Sequence, residues 1–176
     1  MPRGWPSDHP VAYILRMTTR LGLGYDSHRF GADRPLVLGG VTIPHETGLV
    51  GHSDGDAVAH ALTDALLGAA ALGDIGRHFP DSDPQWKDAD SLQLLAHARQ
   101  LVVRAGYRAI NVDATVITQA PKLTPHVDAM RERIAGALDL PVSHVSIKAK
   151  TNEGMDAVGR GEGLQVFAIA AVALAG

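Results

Sequence analysis

The chain has 176 residues, with Lys+Arg 16 against Asp+Glu 19 and a formal net charge of −3 with its nine His neutral. A chain of this length makes one domain that buries roughly 70% of its unfolded surface, and it has no basic excess for nucleic acid. At 45% hydrophobic and 20% charged it is not a disordered chain, a collagen or a coiled coil. It has no Cys, which excludes disulfide frameworks, thiolate zinc sites, iron–sulfur clusters and Cys nucleophiles. Any metal must be held by His, Asp and Glu.

Residues 1–18, Pro-bearing and without periodicity, read as an N-terminal extension to a domain over 19–176. Deleting Pro2 to Arg16 is expected to leave activity and melting temperature nearly unchanged, because termini that pack against nothing contribute little. The apolar run Val11 to Leu15 is too short for a signal-peptide core. Val166 to Ala175 is about half the ~20 residues of a spanning helix, so the expected location is cytoplasmic.

Leu21, Leu23 and Tyr25 alternate with Gly and predict a strand running into Asp26-Ser27-His28. Pro35 to Leu38 and Val41 to Ile43 are short β-rich runs joined by Gly39-Gly40, a hairpin signal. Ser53 or Asp54 can cap a helix over about Asp56 to Leu72, stopped at Gly73. A polar loop follows from Gly73 to Asp90, and a second helix from about Ser91 to Ala105 ends at Gly106. Asn111 to Ile117 reads as a strand. Thr124-Pro125 opens a third helix to about Leu138, with Thr as cap and Pro first in the helix. Val145 to Ala149 is a strand, Thr151 to Gly163 a Gly-rich loop, and Leu164 to Leu174 a strand apolar on both faces. The order indicates a single-domain α/β sandwich, a mixed sheet with helices packed on one side.

Asp56, His60 and Asp64 fall at i, i+4 and i+8, one face of an otherwise apolar helix. Either His60 is satisfied by Asp64 as a structural pair, or it is a metal ligand with carboxylates fixing its tautomer. Asp26 and His28, at i and i+2 of an extended segment, point the same way and can converge on one ion. With His60 they supply a carboxylate and two imidazoles. That set suits tetrahedral Zn²⁺ with an open position, and equally a non-haem iron centre. Lys148 to Gly154 and Gly159 to Gly163 have the composition of a phosphate-holding loop, in which Glu153 would repel phosphate unless a divalent cation lay between. Thr118 to Thr124, a strand-to-helix connection, offers backbone amides to an anion or a base edge.

These residues occur together in a recognisable order. Asp26-Ser27-His28-Arg29-Phe30, His52-Ser53-Asp54-Gly55-Asp56, the run His60 to Ala70, Gly73-Asp74-Ile75-Gly76, Phe79-Pro80-Asp81, Gln119-Ala120-Pro121-Lys122 and Gly159-Arg160-Gly161-Glu162-Gly163 resemble the 2-C-methyl-D-erythritol 2,4-cyclodiphosphate synthase family of the non-mevalonate isoprenoid pathway. The resemblance spans about Leu21 to Leu174. It implies an enzyme that converts 4-diphosphocytidyl-2-C-methyl-D-erythritol 2-phosphate to the cyclic diphosphate plus CMP. It implies one Zn²⁺ per subunit on Asp26, His28 and His60, and Mg²⁺ or Mn²⁺ on Glu153 with the substrate diphosphate. His52 and Thr151 would be catalytic. Substrate contacts would come from Asp26, Ser27, His28, His52, Ser53, Asp74, Ile75, Gly76 and the loop Phe79, Pro80, Asp81, Ser82, Asp83. Further contacts would come from Thr118, Gln119, Ala120, Pro121, Lys122, Leu123, Thr124, Lys150, Thr151, Asn152, Glu153 and Arg160, those of 118–124 at the cytidine. The implied assembly is a homotrimer with shared sites, without nucleic acid or membrane. The chain departs from the family pattern at Asn152, Asp156 and Ala157, where a second Thr, a Gly and an aromatic often stand. A metal-dependent phosphohydrolase, an iron oxygenase on the same triad, and an inactive nucleotide- or isoprenoid-diphosphate-binding trimer are the alternatives.

Overall fold

The structure is a computed structural model that describes residues 19–80, 82–86 and 89–175. The expected N-terminal extension and Asp81 therefore lie outside the described residues. The strands are β1 (Arg20–Gly31), β2 (Leu36–Leu38), β3 (Val41–Ile43), β4 (Gly48–Leu49), β5 (Tyr107–Ile117), β6 (Val145–Lys150) and β7 (Gly163–Leu174). The helices are α1 (Ala57–Ala69), α2 (Ile75–His78), α3 (Ser91–Arg104), α4 (Val127–Leu138) and α5 (Asp156–Gly159). A five-stranded sheet has the order β4-β1-β7-β5-β6, antiparallel except for the β5–β6 pair, so the expected mixed sheet is present. β2 and β3 form a separate hairpin, Leu38 opposite Val41, with Gly39 and Gly40 both at positive φ in the turn.

One face of the sheet carries α1, α3 and α4 over a core that includes Leu62, Leu66, Leu95, Ile134, Val112 and Val166. Among the described residues nothing covers the other face: Leu21, Leu23, Tyr25, Phe167 and Ile169 are exposed on it. Alternation explains the asymmetry. Paired residues share a face, so Tyr25 with Phe167 and Leu23 with Ile169 point outward, while Gly24 with Ala168 and Asp26 with Val166 point to the helices.

The glycines of β1 set the approach of α1. A Cβ on Gly22 would lie 2.0 Å from the Ala65 carbonyl oxygen, and one on Gly24 1.9 Å from that of Ala61. The helix thus rests on strand backbone, and its first turn comes down over Asp26. Gly24→Ala is expected to push α1 away at a cost of about 1–3 kcal/mol, read as a lower melting temperature. An unchanged melting temperature would contradict this packing.

Several local expectations are corrected. α1 is capped by Asp56, not by Ser53 or Asp54: the Asp56 side chain accepts from Val58 and Ala59 N–H and also from Gly39 and Gly40 N–H, holding the hairpin to the helix. The helix ends at Ala69, before Leu72, because Ala71 already takes positive φ. Thr124 caps nothing; Thr124–His126 is a 3₁₀ turn, and the α-helix starts at Val127. β5 starts four residues earlier than expected, at Tyr107, with a register shift between Ala109 and Asn111. The loops expected at 73–90 and 151–163 contain α2, the 3₁₀ turn Pro84–Trp86 and α5. Among the described residues no helix is long and apolar enough to cross a membrane.

Candidate active site

β1 and the first turn of α1 bring Asp26, His28 and His60 together. His28 Nε2 lies 2.9 Å and His60 Nδ1 3.1 Å from the same atom, Asp26 Oδ2, and the three ligand atoms lie within 4.8 Å of one another. Burial pushes the Asp26 carboxyl up, but hydrogen bonds and charge from His28 and His60 outweigh it and hold the pKa well below the ordinary range. The hydrogen bond to Asp26 raises His28 against the opposing effect of burial.

The donor chemistry fits a metal. His28 Nδ1 lies 2.6 Å from the Val50 carbonyl oxygen, which can only accept, so the Nδ1 carries a proton. A neutral His28 then turns the Nε2 lone pair toward the Asp26 carboxylate. Two electron-rich atoms face each other, an arrangement that a cation between them relieves. A carboxylate and two imidazoles are a zinc-type ligand set, and a carbonyl behind one imidazole is the usual way to fix the metal-facing nitrogen.

The stripe Asp56–His60–Asp64 proves to be three separate devices. Asp56 is the helix cap, and burial pushes its pKa up to about 6 against the N–H donors that favour the charged form. Asp64 accepts from Ile75 N–H at 2.7 Å and not from His60, so the structural-pair alternative is not the arrangement seen. His60 turns Nε2 to Ser91 Oγ at 2.8 Å and Ser53 Oγ at 3.0 Å, hydroxyls in place of the expected carboxylates.

The triad opens into a cavity of about 430 Å³, lined also by His52, Ser53, Ile75, Gly76, Phe79 and Pro80. Gly51, Trp86 and Leu94 line it as well, residues that local pattern did not single out. Trp86 meets Phe79 edge-on, their ring centroids 5.1 Å apart, and closes one wall. Asp74 caps α2 through Arg77 N–H, and Asp83 accepts from Gln85 N–H; neither Asp74, Ser82 nor Asp83 is among the lining residues. Ser27, between Asp26 and His28 on β1, faces the opposite side and lines a separate hollow with Arg29 and Gln165.

The remaining expected residues gather elsewhere. Thr118, Gln119, Pro121, Lys122, Leu123, Thr124, Lys150 and Thr151 line a second cavity of about 270 Å³ that shares no residue with the first. Thr118 Oγ1 donates to the Ala120 carbonyl, shaping this loop from within. Thr151 Oγ1 donates to Glu153 Oε1 at 2.6 Å, Asn152 Nδ2 to the Met155 carbonyl, and Arg160 Nε to Glu162 Oε1 at 2.6 Å. Asp156 sits at φ +54, which explains why a Gly often stands there; its carboxylate stabilises the bend by accepting from Val158 N–H.

A mixed-sheet α/β domain with a His₂-carboxylate triad lining a largely apolar cavity has the architecture of a metal-assisted enzyme. Residues 19–173 match the model of the YgbB family, and the chain belongs to that family. It is 58% identical over 156 residues, 89% of this chain and 96% of the relative, to 2-C-methyl-D-erythritol 2,4-cyclodiphosphate synthase of Burkholderia mallei strain SAVP1. Among solved structures it resembles the bifunctional IspDF of Campylobacter jejuni, with a TM-score of 0.87 and 44% identity over 90% of this chain. It spans only 43% of that longer protein. A CDP-bound 2C-methyl-D-erythritol-2,4-cyclodiphosphate synthase gives a TM-score of 0.80 at 40% identity, covering 87% of this chain and 99% of the other. The CDP complex of IspF from Plasmodium falciparum gives 0.78 at 33%, covering 90% and 97%.

Proposed function

We propose that the chain makes a cyclic diphosphate from 4-diphosphocytidyl-2-C-methyl-D-erythritol 2-phosphate. A 2-phosphate oxygen forms a bond to the β-phosphorus, the bond from that phosphorus to the bridging oxygen breaks, and CMP leaves with the electron pair. The observation that carries this reading is the convergence of Asp26, His28 and His60 beneath a cavity, in a chain 58% identical to a synthase named for this product. The nucleophile is already an anion at neutral pH, so no general base is needed. The task is to hold anions together and in line.

Asp26, His28 and His60 would hold one Zn²⁺ per subunit, and Glu153 a Mg²⁺ or Mn²⁺ with the diphosphate. Such ions, when bound, supply positive charge that polarises phosphoryl oxygens. The chain's own part is positioning. His52 faces the triad cavity and is placed to stabilise developing charge. Thr151 and Arg160 now face Glu153 and Glu162, carboxylates that a phosphate can replace as hydrogen-bond acceptor. Thr118 to Thr124 would take the cytidine, and the CDP complexes of two relatives support a cytidine nucleotide as ligand.

The two cavities share no residue, and the bare sheet face is strongly apolar, with Leu21 and Leu23 each 69% exposed. We therefore place the working site between copies in a homotrimer, the triad of one chain facing the Lys122–Thr151 cavity of the next. A contiguous apolar face of this kind is what an obligate interface covers. The catalytic unit is residues 19–176, and the setting is cytoplasmic.

Product analysis with and without chelator tests the reaction. The expected products are equimolar CMP and cyclic diphosphate, with formation stopped by removing metal and restored by adding zinc together with Mg²⁺ or Mn²⁺. Release of inorganic phosphate, incorporation of solvent oxygen into product, or full activity in chelator would overturn the reading.

A further inference from the structure

Behind the triad, away from the cavity, His60 Nε2 meets a chain of polar groups that the reaction itself does not use. Ser91, the first residue of α3, places its Oγ 2.8 Å from this nitrogen. The same hydroxyl donates to Asp54 Oδ1 at 2.5 Å, and the Ser91 N–H donates to Asp54 Oδ2 at 3.1 Å. Asp54 is fixed in turn: its Oδ1 also accepts from Asp56 N–H, and its own N–H donates to the Ala89 carbonyl. Ser91 is fully buried.

Counting protons gives the direction of this chain. A carboxylate only accepts, so the single hydroxyl proton of Ser91 goes to Asp54. The Ser91 oxygen is then left to accept from the two groups it faces, His60 Nε2 at 2.8 Å and the Ser53 hydroxyl at 3.3 Å. His60 therefore carries its proton on Nε2. With a cation bound, the ring's lone pair would be on Nδ1, the nitrogen 3.1 Å from Asp26 Oδ2. Ser53 Oγ, 3.0 Å from Nε2 and already accepting from Gly55 N–H, offers the same proton a second acceptor.

We propose that Asp54 and Ser91 form a relay that fixes His60 with its proton on Nε2 and so presents Nδ1 to the metal. They are positioning residues, and neither lines the cavity. The Val50 carbonyl does for His28 what the relay does for His60, with opposite ring nitrogens: Nε2 of His28 and Nδ1 of His60 face Asp26. The relay also joins α3 to the metal ligands, since Ser91 begins that helix. This inference rests on the metal reading of the triad, and its test does not depend on turnover.

The test uses the full chain with ¹⁵N-labelled histidine, loaded with zinc, and measures zinc affinity by competition with a chelator. The zinc-loaded wild type is expected to show His60 with a protonated Nε2 and a metal-bound Nδ1. Ser91→Ala is expected to weaken zinc binding by about 10- to 100-fold, the usual effect of removing a ligand's outer hydrogen-bond partner. The metal-free variant should show His60 in mixed tautomers with a melting temperature close to wild type, and Ser91→Thr, which keeps the hydroxyl, should restore affinity. A purely structural Ser91 would lower melting temperature without moving the tautomer. Unchanged zinc affinity with the Nε2–H tautomer intact in Ser91→Ala overturns the relay alone. Should that variant fail to fold, the wild type decides: protonated Nδ1 in the zinc form overturns the relay, and protonated Nε2 supports it. A wild type that binds no zinc overturns the metal reading and the relay together.

Discussion

His60→Ala is expected to lose zinc and turnover together while the domain stays folded. The remaining ligands, Asp26 and His28, come from one strand two residues apart, and two adjacent donors hold zinc far less tightly than three from two elements. Loss of the charge that offsets phosphate repulsion should lower turnover on the order of 10³-fold or more. The fold is less exposed to the change. α1 is held by Leu62, Leu66 and the contacts of its backbone with Gly22 and Gly24, none of which involves the imidazole. Elemental analysis and circular dichroism on the purified variant check both halves. A folded variant with full zinc content would remove His60 from the ligand set.

The second large effect concerns how the site is divided. His60→Ala and Thr151→Ala chains should each be nearly inactive alone, since each breaks one of the two cavities in every copy. Co-expressed with different affinity tags and purified through both, they are expected to form mixed trimers on the proposed assembly. Some interfaces then pair an intact triad with an intact Thr151 loop, and activity should return far above the sum of the two single variants. The geometry behind this expectation is the separation of the two linings within a chain. Verified mixed trimers that stay inactive would place both halves in one subunit.

The candidate metal cluster was legible because its residues obey local periodicities. Asp26 and His28 share a face of a strand, and His60 stands on a helix whose other positions are apolar, so three ligands could be named without knowing any long-range contact. The supports were not legible in this way. Asp56 looked like a companion to His60, yet its carboxylate closes a hairpin sixteen and seventeen residues upstream, a contact that only the folded chain brings about. Ser91 opens a predicted helix and carries no motif; what marks it is an Asp 37 residues away and a His 31 residues away. Trp86 lies in a stretch read as plain loop, and a 3₁₀ turn after Pro84 points it at the cavity. Ser27 shows the reverse case, where motif membership suggested a cavity contact and the two-residue alternation of a strand turns the side chain away.

The missing side chains of Gly22 and Gly24 have a consequence for how the metal arrives. With backbone resting on backbone, the separation between β1 and α1 leaves no side-chain rotamers to settle, so the three ligands are held at their spacing by the two elements themselves. Many small zinc domains acquire their shape from the ion, and for them metal affinity and folding are one quantity. The β1–α1 contacts involve no ion, so the metal-free chain is expected to fold with a melting temperature near that of the loaded one. On the proposed zinc site, the ion would enter an already folded protein, its affinity would follow from local chemistry at Asp26, His28 and His60, and a starved cell would hold a pool of folded, metal-free chains ready for loading.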